Sequence, residues 1–431
     1  MRALILEGIA TLERYRDILP GYVRVARTHG DLRLSILVRD GVRDLLGYRE
    51  LPPEIELLEE VPDYFVPGAV ERRVMDLLAV GGFDLIYAPR EGDIIRAARL
   101  RELAGIPGQS FASALAYRDK LRMKQHLVDA GVPVWPSAPV NDAVDFWTAL
   151  DRFGLPCVLK PRSDRGSFNL EIIRDRAQAA AAIGRCAARV PIDAPFRYVL
   201  EPYSEHPMCH ADGFWHDDRL EVLTVSEYVG ATAARPSLGA VFGSLMVDPA
   251  SERTARHRDL VERVVAALPS PRTFCFHAEI WETQDGPALN EIAARPGGRF
   301  VAYNLQNATG VEPAEFWFAL ETGVDPRRLG YRGPDGIRPS GSVALPYRSG
   351  LVQRVPARCG LDFVQDFRPA AGVLAGSVLP PQGQWFDTLG DVVFSAPGYP
   401  ALPRNLDRLL EWAERSILIG APGTAGPEPA R

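Results

Sequence analysis

Short apolar runs alternate with helical patterns over the first hundred residues, and this alternation constrains the fold more than any other feature of the chain. The apolar runs span residues 2–8, 33–38 and 83–88. The helical patterns include VERRVMDLLAV and GDIIRAARLRELAG, and the second is expected to end near Gly105, just before Pro107. Strands that alternate with helices pair in parallel, with the helices covering the sheet. The sequence therefore predicts an N-terminal α/β domain.

The composition argues against several classes of protein. The 431 residues carry a net charge of -6 at pH 7, whereas nucleic-acid-binding proteins usually carry a basic excess. The five cysteines are scattered without CxxC spacing, so we expect neither a disulfide framework nor a zinc site, and a cytoplasmic location. The apolar run within the opening segment MRALILEGIA is too short for the core of a signal peptide. No stretch of the sequence approaches the roughly 18 apolar residues that a membrane helix needs.

Lysine is nearly absent from this chain. Of the 49 basic residues, only Lys120, Lys124 and Lys160 are lysines. A GC-rich genome, which favours arginine codons, would explain the bias. However, lysine is a compact point charge on a flexible stem and arginine is a planar fork, so the two are not interchangeable as ligands. The three remaining lysines are therefore candidates for functional sites.

Coarser patterns organise the rest of the chain. The segment YRDKLRMKQHLVDAGVPVWP predicts a helix that Asp119 caps and that Gly131 and Pro133 close. An alanine-rich helix is expected at Arg176–Arg189, and NATGVEPAEFWFALETG is also expected to be helical. From about residue 337, glycine, proline and valine dominate, which predicts short strands, and NLDRLLEWAERSILI predicts a late helix.

The segment TFCFHAEIWETQDGPALNEIAAR predicts a β-hairpin around Asp285-Gly286. A three-residue loop, Gln284–Gly286, places Glu279 directly opposite Glu291. Like charges in that arrangement destabilise a sheet, and Mg²⁺, which is typically held by one or two carboxylates plus phosphate oxygens, would neutralise them. If the loop has another length, one of the two acids faces solvent instead.

The segment LKPRSDRGS places Lys160 at the end of a strand, followed by a polar loop through Ser163, Gly166 and Ser167. Such a loop can turn its backbone N–H groups towards phosphate oxygens while the lysine adds positive charge. The GxxxxGK[ST] order of a P-loop is absent. The alternative is a solvated surface hairpin.

The segment VLEPYSEHPMCHAD contains an apolar strand that runs into Glu201 and Tyr203. A hinge at this place would let backbone groups contact a flat heterocycle, although a plain strand end has the same pattern. His210 follows at period two with Asp212, and its alternative is a structural histidine.

Taken in order, these segments resemble the ATP-grasp superfamily of carboxylate–amine ligases over roughly residues 85–400. The matching positions are Asp119-Lys120, Met123-Lys124, Ala130–Pro133, Lys160-Pro161 with Ser167, Glu201 with Tyr203, Glu279, and Glu291–Gly298. All three lysines fall inside this pattern. The resemblance implies a parallel-sheet domain at 1–115, an α+β ATP-grasp domain at 116–335 with a lid at about 134–200, a β-rich closing domain at 336–420, and a disordered tail at 421–431.

The resemblance also implies roles for individual residues. It implies a nucleotide-binding set of Lys120, Lys160, Ser163, Gly166, Ser167, Glu201, Tyr203 and His210. Glu279 and Glu291 would hold Mg²⁺, which Mn²⁺ can replace. The reacting groups would contact Lys160, Ser167 and Arg295, with Arg295 at the substrate carboxylate or the acyl phosphate, which its planar fork suits.

Two positions depart from the family pattern. Ala293 stands where many members have an asparagine that binds metal, and Met208 lies near the usual acid for the ribose hydroxyls. The implied activity is ATP-dependent joining of a small-molecule carboxylate to an amine, with an amino acid favoured because no biotin carrier segment is identified. The alternatives are an ATP-dependent carboxylase or carrier-loading ligase, and a non-catalytic nucleotide-binding protein. A homodimer is left open.

Overall fold

A computed structural model describes residues 1–163, 169–189, 194–230, 238–384 and 387–420. Gly166 and Ser167 of the predicted phosphate loop, and the predicted tail at 421–431, lie outside the described residues. None of the helices in these ranges combines the length and the apolar character that a membrane span needs.

The N-terminal region is the predicted α/β unit. Its strands are β1 (Arg2–Glu7), β2 (Arg33–Val38), β3 (Ile55–Glu60) and β4 (Leu85–Tyr87), and its helices are α1 (Tyr15–His29), α2 (Val42–Leu46), α3 (Ala69–Val80) and α4 (Ile94–Ala104). The strands pair in parallel in the order β3-β2-β1-β4. Successive residues of β1 enter different cores: Ala3 and Ile5 face one, Leu4 and Leu6 the other. The sheet is thus buried on both faces, as parallel sheets usually are.

Two helices lead from this sheet towards the site, α5 (Phe111–Arg118) and α6 (Lys120–Asp129). As predicted, Asp119 caps α6: its side chain accepts hydrogen bonds from the backbone N–H groups of Leu121 and Arg122, at 3.1 and 3.3 Å. An N-cap of this kind satisfies donors that have no partner within the helix.

A small antiparallel sheet follows and has its own apolar core. Its elements are β5 (Ala138–Val140), α7 (Ala143–Phe153), β6 (Cys157–Pro161), β7 (Glu171–Ile173), α8 (Arg176–Ala187) and β8 (Tyr198–Pro202). The strand order is β5-β8-β6-β7. This unit occupies the range predicted for the lid, and its movement remains a prediction.

The remaining elements form one long antiparallel sheet, one small sheet and the helices that accompany them. They are β9 (Met208–His216), β10 (Arg219–Gly230), β11 (Phe242–Met246), α9 (Glu252–Ala267), β12 (Thr273–Thr283), β13 (Gly286–Ala293), α10 (Phe300–Thr309), α11 (Pro313–Glu321), β14 (Ser340–Pro346), β15 (Gly350–Arg354), β16 (Val364–Pro369), β17 (Val378–Leu379), β18 (Thr388–Ser395), α12 (Leu402–Ser416) and β19 (Leu418–Gly420). The order is β13-β12-β9-β10-β11-β14-β18-β16, and β17-β15-β19 form a separate small sheet.

The long sheet includes strands on both sides of the boundary predicted between residues 335 and 336, because β11 pairs with β14; the boundary itself remains a prediction. One feature of this region differs from the expectation. The stretch expected to be one helix over residues 307–323 contains a break: α10 ends at Thr309 and is followed by Gly310, whose φ is 88°, and α11 begins at Pro313. Glycine adopts this left-handed conformation readily, and proline suits the first turn of a helix.

Candidate active site

Glu201 lies between two of the three lysines. Its carboxylate is 2.6 Å from Lys124 Nζ and 2.9 Å from Lys160 Nζ, and all three side chains are buried. Burial lowers the pKa of Lys124 to about 8 although Glu201 opposes it. Burial also acts to lower the pKa of Lys160, but the charges of Glu201 and Glu291 raise it overall. Lys160 therefore remains positively charged at neutral pH.

The third lysine reaches the predicted metal acid. Lys120 Nζ lies 3.1 Å from Glu291 Oε2, and Lys160 Nζ lies 4.0 Å from the same oxygen. Burial would raise the pKa of Glu291, but the two ammonium groups lower it to about 2. The structure thus gathers every lysine of the chain around two carboxylates, one of them a predicted metal ligand.

Glu279 and Glu291 are directly opposite one another in the β12–β13 pair, as predicted. The predicted loop length is wrong, however, because Thr283 pairs with Gly286 and only Gln284 and Asp285 separate them. A β-bulge restores the alignment: Ile280 pairs with Leu289 and Glu279 pairs with Glu291, which leaves Asn290 as the extra residue.

A hydrogen-bonded network surrounds Glu279. Asn290 Nδ2 donates to Glu279 Oε2 at 3.2 Å, and the Tyr228 hydroxyl donates to Oε1 at 3.3 Å. His277 Nε2 lies 4.0 Å from Oε1, and His277 Nδ1 bonds to Asp212 Oδ1 at 2.8 Å. Burial acts to lower the pKa of His277, but Asp212 raises it overall. The network holds the Glu279 carboxylate in one orientation.

His210 lies deeper in the same sheet and is buried. Its Nδ1 contacts Asp212, and its Nε2 is 2.7 Å from Ser244 Oγ. Both ring nitrogens are therefore engaged inside the protein, and the nucleotide contact predicted for this residue remains a prediction. Asp212 contacts both His210 and His277, which connects His210 to the network around Glu279.

Arg295 extends the site towards the N-terminal unit. It forms an ion pair with Glu91, which also pairs with Arg118. Burial acts to lower the pKa of Arg295, but the charge of Glu91 raises it overall. Two arginines thus share one carboxylate, which leaves a local excess of positive charge beside Glu291.

The predicted phosphate loop begins beside these residues. Arg118 donates to the backbone carbonyl of Ser163 at 2.9 Å, and the backbone N–H of Lys120 donates to the carbonyl of Arg162 at 2.9 Å. Arg162 also pairs with Asp119 at 2.6 Å. The start of the loop is therefore tied to the start of α6, while the contacts of Gly166 and Ser167 fall outside the described residues.

Tyr203 lies just beyond β8. Its backbone N–H donates to the carbonyl of Pro156 at 3.1 Å, and the guanidinium of Arg174 lies 5.9 Å from the centre of its ring. Its contact with adenine, like that of Glu201, remains a prediction.

A cleft opens between the N-terminal unit and the long sheet. Its lining residues come from both units and are Glu91, Tyr117, Arg118, Lys120, Met123, His277, Glu291, Ile292, Ala293 and Arg295. The cleft thus brings together the predicted metal ligand Glu291, Lys120 and Arg295, the arginine predicted to bind the substrate.

No protein-family model matches the chain. The L-arginine-specific L-amino acid ligase of Bacillus subtilis is 23% identical over 370 residues, which are 84% of this chain and 84% of that protein. The solved structure of an L-amino acid ligase from Bacillus licheniformis has a TM-score of 0.72 at 16% identity, over 98% of this chain and 99% of that one. This chain has the ATP-grasp fold.

A second solved structure supports the assignment. The carboxyaminoimidazole ribonucleotide synthase from Aspergillus clavatus, solved in complex with ATP, has a TM-score of 0.66 at 14% identity, over 96% of this chain and 98% of that one. The ATP-grasp fold and the predicted α/β class are thereby confirmed, whereas the roles of the individual site residues remain predictions.

The sequence did not point to several residues of this cluster, Glu91 and Asn290 among them. Glu91 follows the carboxyl end of β4, and ligands of parallel sheets gather at that edge, so its position was a usable signal. Asn290 reaches the site only through the bulge, which no local pattern indicated. Met208 is buried, so its side chain offers no contact to a ribose in this structure.

Proposed function

We propose that this protein is an ATP-dependent ligase that activates a carboxylate as an acyl phosphate and joins it to an amine. The observation that carries the proposal is that Lys120, Glu291 and Arg295 all line one cleft. The likeness to amino acid ligases over most of the chain supports an amino acid as a substrate. We also propose a cytoplasmic location, which the unpaired cysteines support.

The donor set fits the groups that such a reaction needs. Glu279 and Glu291 face one another, and paired carboxylates with room for phosphate oxygens suit Mg²⁺. When bound, Mg²⁺ would offset the negative charge of the phosphoryl oxygens. Lys120 and Lys160 lie next to Glu291 and would neutralise phosphates of ATP, as point charges do well.

The proposed chemistry has two steps. A substrate carboxylate oxygen forms a bond to the γ-phosphorus of ATP as the bond to the β–γ bridging oxygen breaks, and ADP leaves. The amine then attacks the acyl carbon, the bond to the phosphate oxygen breaks, and phosphate and one amine proton are released. Charge develops on oxygen in both steps, so fixed cationic donors lower both barriers.

Arg295 is the residue best placed to bind the carboxylate. Arg295 lines the cleft together with Glu291, and a planar fork binds carboxylate or acyl phosphate through two hydrogen bonds. Glu91 holds it in place.

The test is release of phosphate from ATP by the purified protein with an array of amino acid pairs, combined with mass spectrometry of the products. We expect phosphate release to require two amino acids and to match the amount of amide product. Parallel reactions contain bicarbonate or a carrier protein as the only acceptor. Phosphate release that depends on bicarbonate alone would establish the carboxylase alternative instead, and binding of ATP without any turnover would leave the non-catalytic alternative.

A further inference from the structure

Asn290 occupies an unusual position in the β12–β13 hairpin. In a regular strand, adjacent side chains point to opposite faces, so Asn290 and Glu291 would face apart. The bulge at this point places both residues against one partner, Glu279. The result is that an amide and a carboxylate, neighbours in sequence, enter the same cluster.

The contacts of Asn290 define what its oxygen faces. The side chain is 4% exposed, and its Nδ2 donates to Glu279 Oε2 at 3.2 Å. Its Oδ1 faces Lys160 Nζ at 3.4 Å, near the long limit of a hydrogen bond. The hydrogen bond to Glu279 therefore fixes the amide nitrogen of Asn290. As a result, the amide oxygen points towards the position that the Lys160 ammonium group occupies.

Ala293 gives this geometry its significance. Ala293 lines the cleft two residues beyond Glu291, and its methyl group offers no donor atom. Mg²⁺ prefers oxygen ligands in an octahedral arrangement, and two carboxylates leave several positions to be filled. An amide oxygen from the bulge would fill one of them.

We propose that Asn290 supplies a third protein oxygen to the divalent cation held by Glu279 and Glu291. This inference rests on the proposed function, since the cation is the one that would accompany ATP. It assigns the bulge a purpose: the bulge brings a neutral ligand to the metal acids from the position before the second acid.

The test measures binding of Mn²⁺ to the full-length protein in the presence of ADP, by electron paramagnetic resonance of free Mn²⁺, without carboxylate or amine. We expect Asn290→Ala to weaken Mn²⁺ binding at least about tenfold, in line with losses seen when groups around a metal are removed. Ala293→Asn added to Asn290→Ala is expected to recover part of the loss. Asn405→Ala is the matched control. Asn405 is also buried, and it donates to the backbone carbonyl of Ser395, a contact that involves none of the residues around Glu279 and Glu291.

Unchanged Mn²⁺ affinity in a folded Asn290→Ala variant would overturn the proposal. Should that variant unfold, the wild-type protein still decides the matter through anomalous scattering from a crystal grown with Mn²⁺ and ADP. An ion about 2.1–2.3 Å from Asn290 Oδ1 supports the proposal, and an ion bound by Glu279 and Glu291 without Asn290 overturns it. Neither readout requires turnover, so failure of the ligase assignment remains distinguishable from failure of this ligand.

Discussion

Glu91 of the N-terminal unit forms an ion pair with Arg295 of the long sheet. The contact joins the edge of one sheet to the end of β13, and Arg118 adds a second cation to the same carboxylate. Because its guanidinium pairs with the Glu91 carboxylate, Arg295 is held in position before any substrate enters. Positioning of this kind lowers the cost of orienting the reacting groups.

Arg295→Lys tests the predicted carboxylate contact. Lysine keeps the charge but loses the planar fork, so we expect carboxylate-dependent phosphate release to fall by about 100-fold or more, while ADP binding by calorimetry stays near the wild-type value. Arg253→Lys is the control, because Arg253 pairs with Glu227 and Glu282 outside the cleft. Equal kcat/KM for Arg295→Lys and the wild type would contradict the assignment.

Glu201→Gln tests the buried pair of lysines. The substitution leaves Lys124 and Lys160 buried without their shared carboxylate, and breaking a buried ion pair from one side costs about 3–5 kcal/mol. We expect a loss of that order in the free energy of unfolding, measured by urea denaturation. The control Glu171→Gln removes a surface partner of Arg185 and should cost less than about 1 kcal/mol. A Glu201→Gln variant as stable as the wild type would show that this cluster does not stabilise the fold.

Asp93 predicts a pH dependence of stability. Burial raises the pKa of Asp93 to about 7. The charge of Arg96 acts to lower this pKa, and the charge of Glu7 acts to raise it. Between the ordinary value of 3.8 and pH 7 the folded state holds a proton that the unfolded state has lost, so the stability of the wild type falls as pH rises through that window.

Asp93→Asn cannot titrate, so the difference in unfolding free energy, variant minus wild type, should increase from pH 4 to pH 8. Since one pKa unit corresponds to about 1.4 kcal/mol, we expect an increase of about 1–4 kcal/mol. Urea denaturation at both pH values measures it. The surface variant Asp151→Asn, at a carboxylate paired with Arg176, should show little change, and a flat difference for Asp93→Asn would refute the prediction.

Glu291→Gln tests the predicted metal site. The glutamine keeps the shape but removes one of two facing charges, so we expect Mn²⁺ binding in the presence of ADP to weaken by more than about tenfold. Glu282→Gln is the control, since Glu282 lies on the same strand as Glu279 but pairs with Arg253. Unaltered Mn²⁺ binding and turnover in Glu291→Gln would show that the cation lies elsewhere.

Local sequence patterns predicted part of this structure because the physics involved is local. The cap at Asp119, the parallel N-terminal strands and the end of α4 at Gly105 follow from preferences of neighbouring residues. The pairing of Glu279 with Glu291 was predicted correctly, although the predicted loop was one residue too long. A β-bulge compensates for the shorter loop. A bulge depends on packing around the hairpin, which the hairpin sequence does not contain.

Contacts between residues that are distant in the sequence could not be predicted. The continuation of the long sheet from β11 to β14 joins strands separated by about a hundred residues, and no local signal specifies it. The Glu91–Arg295 ion pair is also a long-range contact. Glu91 follows β4 of the N-terminal sheet, and Arg295 follows β13 of the long sheet. The contacts of His210 with Asp212 and Ser244 likewise depend on which strands are neighbours, so a resemblance in sequence order did not reveal them.

The oxygen of the substrate carboxylate reports whether an acyl phosphate forms. A reaction with ATP, an amine and an amino acid labelled with ¹⁸O in its carboxylate transfers one labelled oxygen to the released phosphate if an acyl phosphate forms. We predict one ¹⁸O atom per phosphate, with one amide formed for each phosphate, as measured by mass spectrometry. Release of unlabelled phosphate together with amide, or of AMP in place of ADP, would show that no acyl phosphate forms.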